Sequence, residues 1–189
     1  MIELIFFGRG GQGAVTAAQI LATAAFREGK FSLAFPSFGP ERRGAPVTAY
    51  ARINELPIVD RSQIAKADYI LVLDPKVLRT SNPLNALKEA GCAILNANKT
   101  TEDICTKVRK GDKRIYCINA TFISEKVYGK RPIPITNIAM LGAFASISRV
   151  IKLNTILDTV EHFFSGESAQ KSKQAALMAN EEMVAGEAS

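Results

Sequence analysis

The sequence contains few of the residues from which metal sites and disulfide frameworks are built. It has one histidine, His162, and three cysteines, Cys92, Cys105 and Cys117, which are widely spaced and form no C-x-x-C pair. This pattern argues against a disulfide framework, and against a zinc site or an iron–sulfur cluster held by this chain alone. We therefore predict no metal site on this chain and a reducing, cytoplasmic location.

The sequence also lacks a long apolar run and a concentrated basic tract. No stretch of about 18 apolar residues occurs, so we predict no membrane-spanning helix. The apolar segment Met1–Phe7 has no positive region before it and is followed by glycines and an arginine, which is not the pattern of a signal peptide. The formal net charge is +6, but the basic residues are scattered and no aromatic residues alternate with them. We therefore expect neither a nucleic acid nor a membrane as a partner.

Apolar periodicity predicts strands that alternate with helices. The continuous run Ile2–Phe7 is typical of a strand buried on both faces, and apolar residues at helical spacing follow from Ala14 to Phe26. Further strands are predicted at Phe31–Phe35, Val47–Ile53, Pro57–Val59, Tyr69–Leu73, Ala93–Asn96 and Ile115–Asn119. Further helices are predicted near Lys76–Arg79 and Leu84–Ala90, weakly between the last two strands, at Ala120–Tyr128, from Thr136 or Asn137 to about Ile151, after a cap at Asn154, and from Ser168 to about Met183.

These elements predict an α/β fold. We expect a Rossmann-like, mostly parallel sheet flanked by helices, with a helical C-terminal end. The strands at residues 47–53 and 57–59 are close enough in sequence to form an antiparallel hairpin. We expect one domain over residues 1–189, on which the helices of residues 137–185 pack.

A glycine-rich turn joins the first strand to the first helix. Residues Gly8–Gly13 have the spacing G-x-G-x-x-G, and the free N–H groups of the helix start, together with Arg9, favour an anion. A dinucleotide site also requires an acidic residue about 20 positions further on. Here the second strand is followed by Pro36, and the first acid is Glu41, inside a proline-rich loop. A phosphate-bearing ligand, a partner subunit and a purely structural turn stay open, and a nicotinamide dinucleotide is least favoured.

Three segments together resemble a known family. They are Gly8–Val15, Pro36–Val47 and Thr136–Ala143, and in this order and spacing they resemble the gamma subunits of the 2-oxoacid:ferredoxin oxidoreductases, above all the pyruvate type. The wording of the second segment is similar to that of the pyruvate and ketoisovalerate members. The resemblance extends over about residues 3–165.

The resemblance implies a subunit of a larger oxidoreductase. The complex would decarboxylate a 2-oxoacid oxidatively, pass the electrons to ferredoxin and transfer the acyl group to coenzyme A. Thiamine diphosphate, Mg and [4Fe-4S] clusters would be bound by companion alpha, beta and delta-type subunits rather than by this chain. This chain would shape the acceptor side and the assembly, and would be inactive in isolation.

Candidate site residues follow from the turn and from the three segments. We assign no catalytic residue and no metal ligand to this chain. The candidates for cofactor or anion binding, or for a subunit interface, are Gly8, Arg9, Gly10, Gly11, Gln12, Gly13, Pro36, Ser37, Gly39, Glu41, Arg42, Arg43, Gly44 and Asn137. Arg42 and Arg43 would face the phosphates of coenzyme A or form ordinary surface or interface ion pairs, and Glu41 is interpreted as their partner. The alternative function is a stand-alone NADP-type nucleotide-binding protein or small reductase that uses the turn directly.

Overall fold

The computed structural model describes residues 1–37, 45–80, 82–97 and 113–187. Its strands are β1 (Ile2–Arg9), β2 (Phe31–Pro36), β3 (Pro46–Asn54), β4 (Ala67–Val72), β5 (Leu87–Asn96) and β6 (Arg114–Ile118). Its α-helices are α1 (Ala14–Arg27), α2 (Pro75–Thr80), α3 (Ala120–Tyr128), α4 (Asn137–Ser148), α5 (Leu153–Phe163) and α6 (Gly166–Glu187), and a 3₁₀ turn spans Pro83–Ala86.

The described strands form one mixed sheet in the order β2-β3-β1-β4-β5-β6. β1, β4, β5 and β6 pair in parallel, whereas β3 is antiparallel to both of its neighbours, β1 and β2. β2 therefore runs in the same direction as β1, and β3 is the one reversed strand of this sheet. The predicted fold class is confirmed: the sheet is mostly parallel, helices flank it, and the C-terminal end is helical.

The two faces of the sheet are covered unequally. On one face, β1 and its neighbours pack against α1 and the C-terminal helices in a large buried cluster that includes Leu4, Phe6 and Phe144. On the other face, Ile5 and Ile70 belong to a smaller buried cluster, which α2 helps to close. Successive residues of a strand point to opposite faces, which is why Leu4 and Ile5 belong to different clusters.

Helix α4 lies at the centre of the helical layer. Its residues from Asn137 to Ala145 are all buried. Gly142 lets α4 approach the backbone of α6, since a Cβ at this position would lie 2.1 Å from the carbonyl oxygen of Ala176. No helix of the described residues is both long and apolar enough to cross a membrane.

The predicted hairpin of residues 47–53 and 57–59 is wrong. Residues 57–59 form no strand, and the antiparallel partners of β3 are β1 and β2. A side chain takes the place of a strand ladder here. The guanidinium of Arg52 donates to the carbonyl oxygens of Asp60 and Ser62, at 3.0 and 2.8 Å, and so holds this segment beside the sheet.

Several predicted helix boundaries also differ from the structure. The helix expected over residues 84–90 is a 3₁₀ turn followed by β5, because Leu87 pairs with Ala67 of β4. The helix expected to reach about residue 151 ends at Ser148, where Arg149 turns into the left-handed region with φ of 54°. The next helix begins at Leu153 and not after a cap at Asn154. The weak helix predicted between β5 and β6 falls largely outside the described residues.

The cysteines and the histidine have separate surroundings. Cys92 is a buried free thiol, and burial raises its pKa to about 11. Cys117 is disulfide-bonded, so the expectation that the widely spaced cysteines form no disulfide framework is wrong for this residue. His162 lies at the end of α5 and contacts the guanidinium of Arg27 at the exposed surface.

Candidate functional site at the glycine-rich turn

The carboxyl ends of β1 and β4 meet at one edge of the sheet, because the two strands are parallel neighbours. The chain leaves these strands toward opposite faces. Helix α1 joins the larger buried cluster through Ala17, and α2 joins the smaller one through Val77. In open α/β sheets, ligands usually bind in a crevice where the crossovers diverge in this way. Arg9 ends β1 and Asp74 follows β4, so both residues lie at this crevice.

The backbone of the turn requires glycine at two positions. Gly11 and Gly13 have φ of +95° and +79°, which side chains disfavour. A Cβ at Gly13 would also lie 2.4 Å from Nδ2 of Asn137 at the start of α4. The turn is closed by two hydrogen bonds: Gly10 N–H donates to the carbonyl oxygen of Ala45 at 2.9 Å, and Gln12 N–H donates to that of Arg9 at 3.0 Å.

Helix α1 begins at this turn without a side-chain cap. Gly13 occupies the N-cap position, its carbonyl oxygen accepts the N–H of Ala17 at 2.8 Å, and the first turn contains no acidic residue. The first N–H groups of a helix have no partner within the helix, and the helix dipole adds partial positive charge at this end. The start of α1 therefore favours an anion.

Arg9, Gln12 and Asp74 form a polar cluster at the base of the turn. Arg9 Nε and Gln12 Nε2 both donate to Oδ2 of Asp74, each at 2.6 Å, and the Asp74 side chain is only 4% exposed. The amide oxygen of Gln12 accepts the backbone N–H of Arg9 at 2.7 Å. Gln12 thus binds the backbone of the loop. The cluster ties the ends of β1 and β4 together.

A pocket of about 350 Å³ lies beside the turn and the helix start. It is lined by Arg9, Gly10, Gly11, Gly13, Ala14, Val15, Thr16 and Val47. Arg9 is the one charged side chain among these lining residues. The volume lies at the lower end of the range for small-molecule sites, about 300–1,000 Å³. The pocket can accommodate an anionic group such as a phosphate, with donors from a helix start and a guanidinium.

The remaining predicted residues are distributed around this edge. Asn137 lies against Gly13. Pro36 ends β2 opposite Ala49, and Ser37 N–H donates to the carbonyl oxygen of Thr48 at 2.8 Å, so both are separated from the turn by β3. The other predicted site residues, Gly39, Glu41, Arg42, Arg43 and Gly44, lie outside the described residues.

A second polar cluster lies at the same edge of the sheet and connects it to the helices. The carbonyl oxygen of Leu73 accepts Nδ2 of Asn96 at 2.8 Å and the hydroxyl of Thr136 at 3.2 Å. Asn96 is buried, and its Oδ1 accepts the N–H of Thr121 at 3.1 Å. These bonds join the ends of β4 and β5 to the starts of α3 and α4. They fix the position of Asn137 next to the glycine-rich turn.

Asp74 is the central site residue that sequence reasoning missed. From the sequence it is only the residue between a predicted strand and Pro75. One rule could have identified it: the carboxyl ends of parallel strands share one edge of the sheet, so a polar residue directly after such a strand is a candidate site residue. Over the described residues, no group of three or more His, Cys, Asp or Glu side chains is placed to hold a metal ion.

The fold and the site define a Rossmann-like α/β protein with a pocket at the uncapped start of its first helix. More specifically, the chain belongs to the pyruvate ferredoxin/flavodoxin oxidoreductase family, whose sequence model matches residues 3–182.

Several known proteins are similar to the chain over nearly its whole length. The pyruvate/ketoisovalerate oxidoreductases common subunit gamma of Thermococcus litoralis is 46% identical, over 97% of this chain and 98% of that protein. The same subunit of Pyrococcus furiosus is 46% identical, over 96% of both chains. Pyruvate synthase subunit PorC of Methanocaldococcus jannaschii is 44% identical, over 97% of this chain and 98% of that protein.

Solved structures share the fold. Pyruvate oxidoreductase subunit PORC of Thermotoga maritima superposes with a TM-score of 0.79 at 30% identity, over 95% of both chains. The 2-oxoglutarate:ferredoxin oxidoreductase of Magnetococcus marinus superposes with a TM-score of 0.80 at 16% identity, over 97% of this chain and 31% of that chain. At that identity, the second similarity concerns the fold alone.

Proposed function

We propose that this chain is the gamma subunit of a multi-subunit 2-oxoacid:ferredoxin oxidoreductase, with pyruvate as the expected 2-oxoacid. The observation that carries the proposal is the near-full-length similarity to proteins named gamma or PorC subunits. The enzyme is an oxidoreductase that acts on the oxo group of its donor and reduces an iron–sulfur protein, ferredoxin. The chain contributes to this activity as a subunit and has no turnover by itself.

The proposed division of labour leaves the redox chemistry to companion subunits. Thiamine diphosphate, Mg and the [4Fe-4S] clusters are bound by alpha, beta and delta-type subunits, and ferredoxin docks on the complex. What supports this for the present chain is the character of its pocket, whose described lining residues offer backbone N–H groups and one guanidinium and include no carboxylate. Such a donor set suits a phosphate and not a metal ion, which prefers oxygen, imidazole or thiolate ligands.

We propose coenzyme A, the acceptor of the acyl group, as the ligand whose phosphates approach the glycine-rich turn. Coenzyme A carries phosphates that match the helix start and Arg9 in charge and in hydrogen-bonding type. The pocket of about 350 Å³ has room for part of such a molecule, so other subunits would bind the rest. The chain thereby shapes the acceptor side of the active site. A cytoplasmic location belongs to the same proposal.

The stand-alone nucleotide-binding protein is the less supported function. The similar proteins are named subunits, not independent reductases. The end of β2 also lacks the acidic residue that holds a ribose, since Phe31–Pro36 is followed by Ser37.

The proposal is tested by purifying the chain in two forms. A tagged chain isolated from its native host should bring companion subunits with it, and this complex should reduce ferredoxin with pyruvate and coenzyme A. The same chain produced alone should show no pyruvate-dependent reduction. Turnover by the isolated chain would contradict the proposal, and so would stoichiometric, tight binding of NADPH to the isolated chain in calorimetry.

A further inference from the structure

Asp74 has both carboxylate oxygens occupied inside the protein. Oδ2 accepts Arg9 Nε and Gln12 Nε2, each at 2.6 Å, and Oδ1 accepts the backbone N–H of Lys76 at 2.8 Å. The side chain is 4% exposed. Because the carboxylate is 4% exposed and accepts three donors of the protein, it is directed into the protein and not at a ligand in the pocket.

Asp74 binds the Arg9 guanidinium at its Nε atom. Nε donates to Asp74, whereas the two terminal nitrogens have no acceptor among the described residues. The side chain is 22% exposed and lines the pocket at the turn. A guanidinium is planar and its donors have fixed directions, so a bond at Nε also fixes the direction of the terminal N–H groups.

Gln12 completes the arrangement from the backbone side. Its side-chain amide donates to Asp74 and accepts from the backbone N–H of Arg9, at 2.6 and 2.7 Å, and the residue is 2% exposed. Arg9 is thus restrained at its backbone by Gln12 and at its guanidinium by Asp74.

We propose that Asp74 is a positioning residue that holds Arg9, so that the terminal N–H groups of Arg9 bind a phosphate of the acyl acceptor. The inference rests on the proposed function, because it takes coenzyme A as the ligand of the pocket. The negative charge of Asp74 lies on the Nε side of the guanidinium, which leaves the terminal donors to the ligand. Restraining a long side chain before binding lowers the entropy that binding would otherwise cost.

A purely structural role for Asp74 predicts a different result. Through Oδ1 the carboxylate also binds the first turn of α2 at Lys76, so its loss would lower stability whatever residue stands at position 9. Positioning, in contrast, predicts that the effect of removing Asp74 on the acceptor depends on Arg9.

The experiment measures the KM for coenzyme A in the assembled complex, with pyruvate-dependent ferredoxin reduction as the assay. The variants are Asp74→Asn, Arg9→Gln and the double substitution. Each single substitution should raise this KM about 10- to 100-fold and leave kcat nearly unchanged, because it removes a charge-assisted hydrogen bond to the ligand or its orientation. The double variant should be within about twofold of Arg9→Gln.

Two further variants separate positioning from stability. Asp68→Asn is the matched control, since Asp68 lies at the other end of β4 and binds Glu3 N–H and Lys88 Nζ, each at 2.9 Å. It should leave the KM for coenzyme A unchanged. Gln12→Met removes both amide bonds and leaves the bond from Asp74 to α2 in place, so it should raise the KM even if Asp74→Asn fails to assemble.

The outcomes distinguish the inference from the function on which it rests. An unchanged KM in an assembled Arg9→Gln complex means that the turn does not bind the acceptor, and the proposed role of the pocket fails. A raised KM in Arg9→Gln with an unchanged KM in Asp74→Asn and Gln12→Met overturns the positioning role alone. An equal effect of Asp74→Asn in the presence and absence of Arg9 also overturns it.

Discussion

Replacing Gly13 with alanine tests the geometry on which the candidate site is built. Gly13 has φ of +79°, and a Cβ there would lie 2.4 Å from Nδ2 and 3.0 Å from Cγ of Asn137. Rotation of the Asn137 amide can relieve the first contact but not the second. Asn137 has little room to move as a whole, because it is 4% exposed and its Oδ1 accepts the N–H of Ile138 at 3.0 Å.

Two costs add in this variant. An alanine in the left-handed conformation costs about 1–2 kcal/mol, and forcing extra volume into a packed site costs about 1–3 kcal/mol. We therefore expect Gly13→Ala to lower the free energy of unfolding by about 2–5 kcal/mol. Gly29 provides the matched control, since it has the same φ of +79° and no atom within 4 Å of its would-be Cβ. Gly29→Ala should lose only the backbone contribution, about 1–2 kcal/mol.

Equilibrium urea denaturation measures these differences, provided that the slopes of the transitions agree between variants. Asn137→Ala removes the side chain that the new methyl group meets. In that background Gly13→Ala should therefore cost no more than Gly29→Ala does in the parent chain. The reasoning is refuted if Gly13→Ala and Gly29→Ala cost the same in the parent chain, or if Asn137→Ala leaves the cost of Gly13→Ala unchanged.

Three further predictions concern other parts of the molecule. Gly142→Ala should destabilise the chain by about 1–3 kcal/mol, because the new methyl group meets the backbone of Ala176, and this outweighs the higher helix propensity of alanine. Thermal denaturation measures the effect, and an unchanged or higher midpoint would contradict it. Arg52→Met should cost about 3 kcal/mol and speed amide hydrogen exchange selectively in residues 55–66, because Arg52 is 2% exposed and binds that segment; uniform exchange would contradict the second part. Cys92, with its pKa raised to about 11, should resist alkylation at pH 8 in the folded chain and react after unfolding, as peptide mapping of the labelled thiol would show; labelling of the folded chain at the rate of an exposed thiol would contradict this.

The fold could be predicted where local signals determine it. The run Ile2–Phe7, the glycines after it and the helical spacing from Ala14 are contiguous, and the structure has β1, the turn and α1 there. The prediction failed where distant residues decide. Residues 87–90 look helical by themselves, but Leu87 pairs with Ala67 of β4 and the segment is the start of β5. No local pattern reveals that Arg52 holds residues 55–66.

For the site too, the features that depend on neighbouring residues could be predicted, and those that depend on distant residues could not. The glycine-rich turn could be predicted because its conformation depends on its own glycines. Asn137 was predicted only through the resemblance of three segments, since its contact with Gly13 joins distant parts of the chain. Asp74 was missed because it lies 65 residues from Arg9 and becomes its neighbour only when β1 and β4 pair.

The position of the acidic residue near the glycine-rich turn bears on which ligands the turn can bind. In a dinucleotide site of this architecture, an acid at the end of the second strand accepts hydrogen bonds from the ribose. Here β2 ends at Pro36, and the acid of the crevice is Asp74, after β4. Its Oδ2 accepts from Arg9 and Gln12 and its Oδ1 accepts from the backbone N–H of Lys76, so both oxygens are directed at the protein and not at a ribose hydroxyl. Among the described residues that line it, the pocket presents a guanidinium and a helix start but no carboxylate, so we expect it to favour the anionic part of a ligand over its sugar.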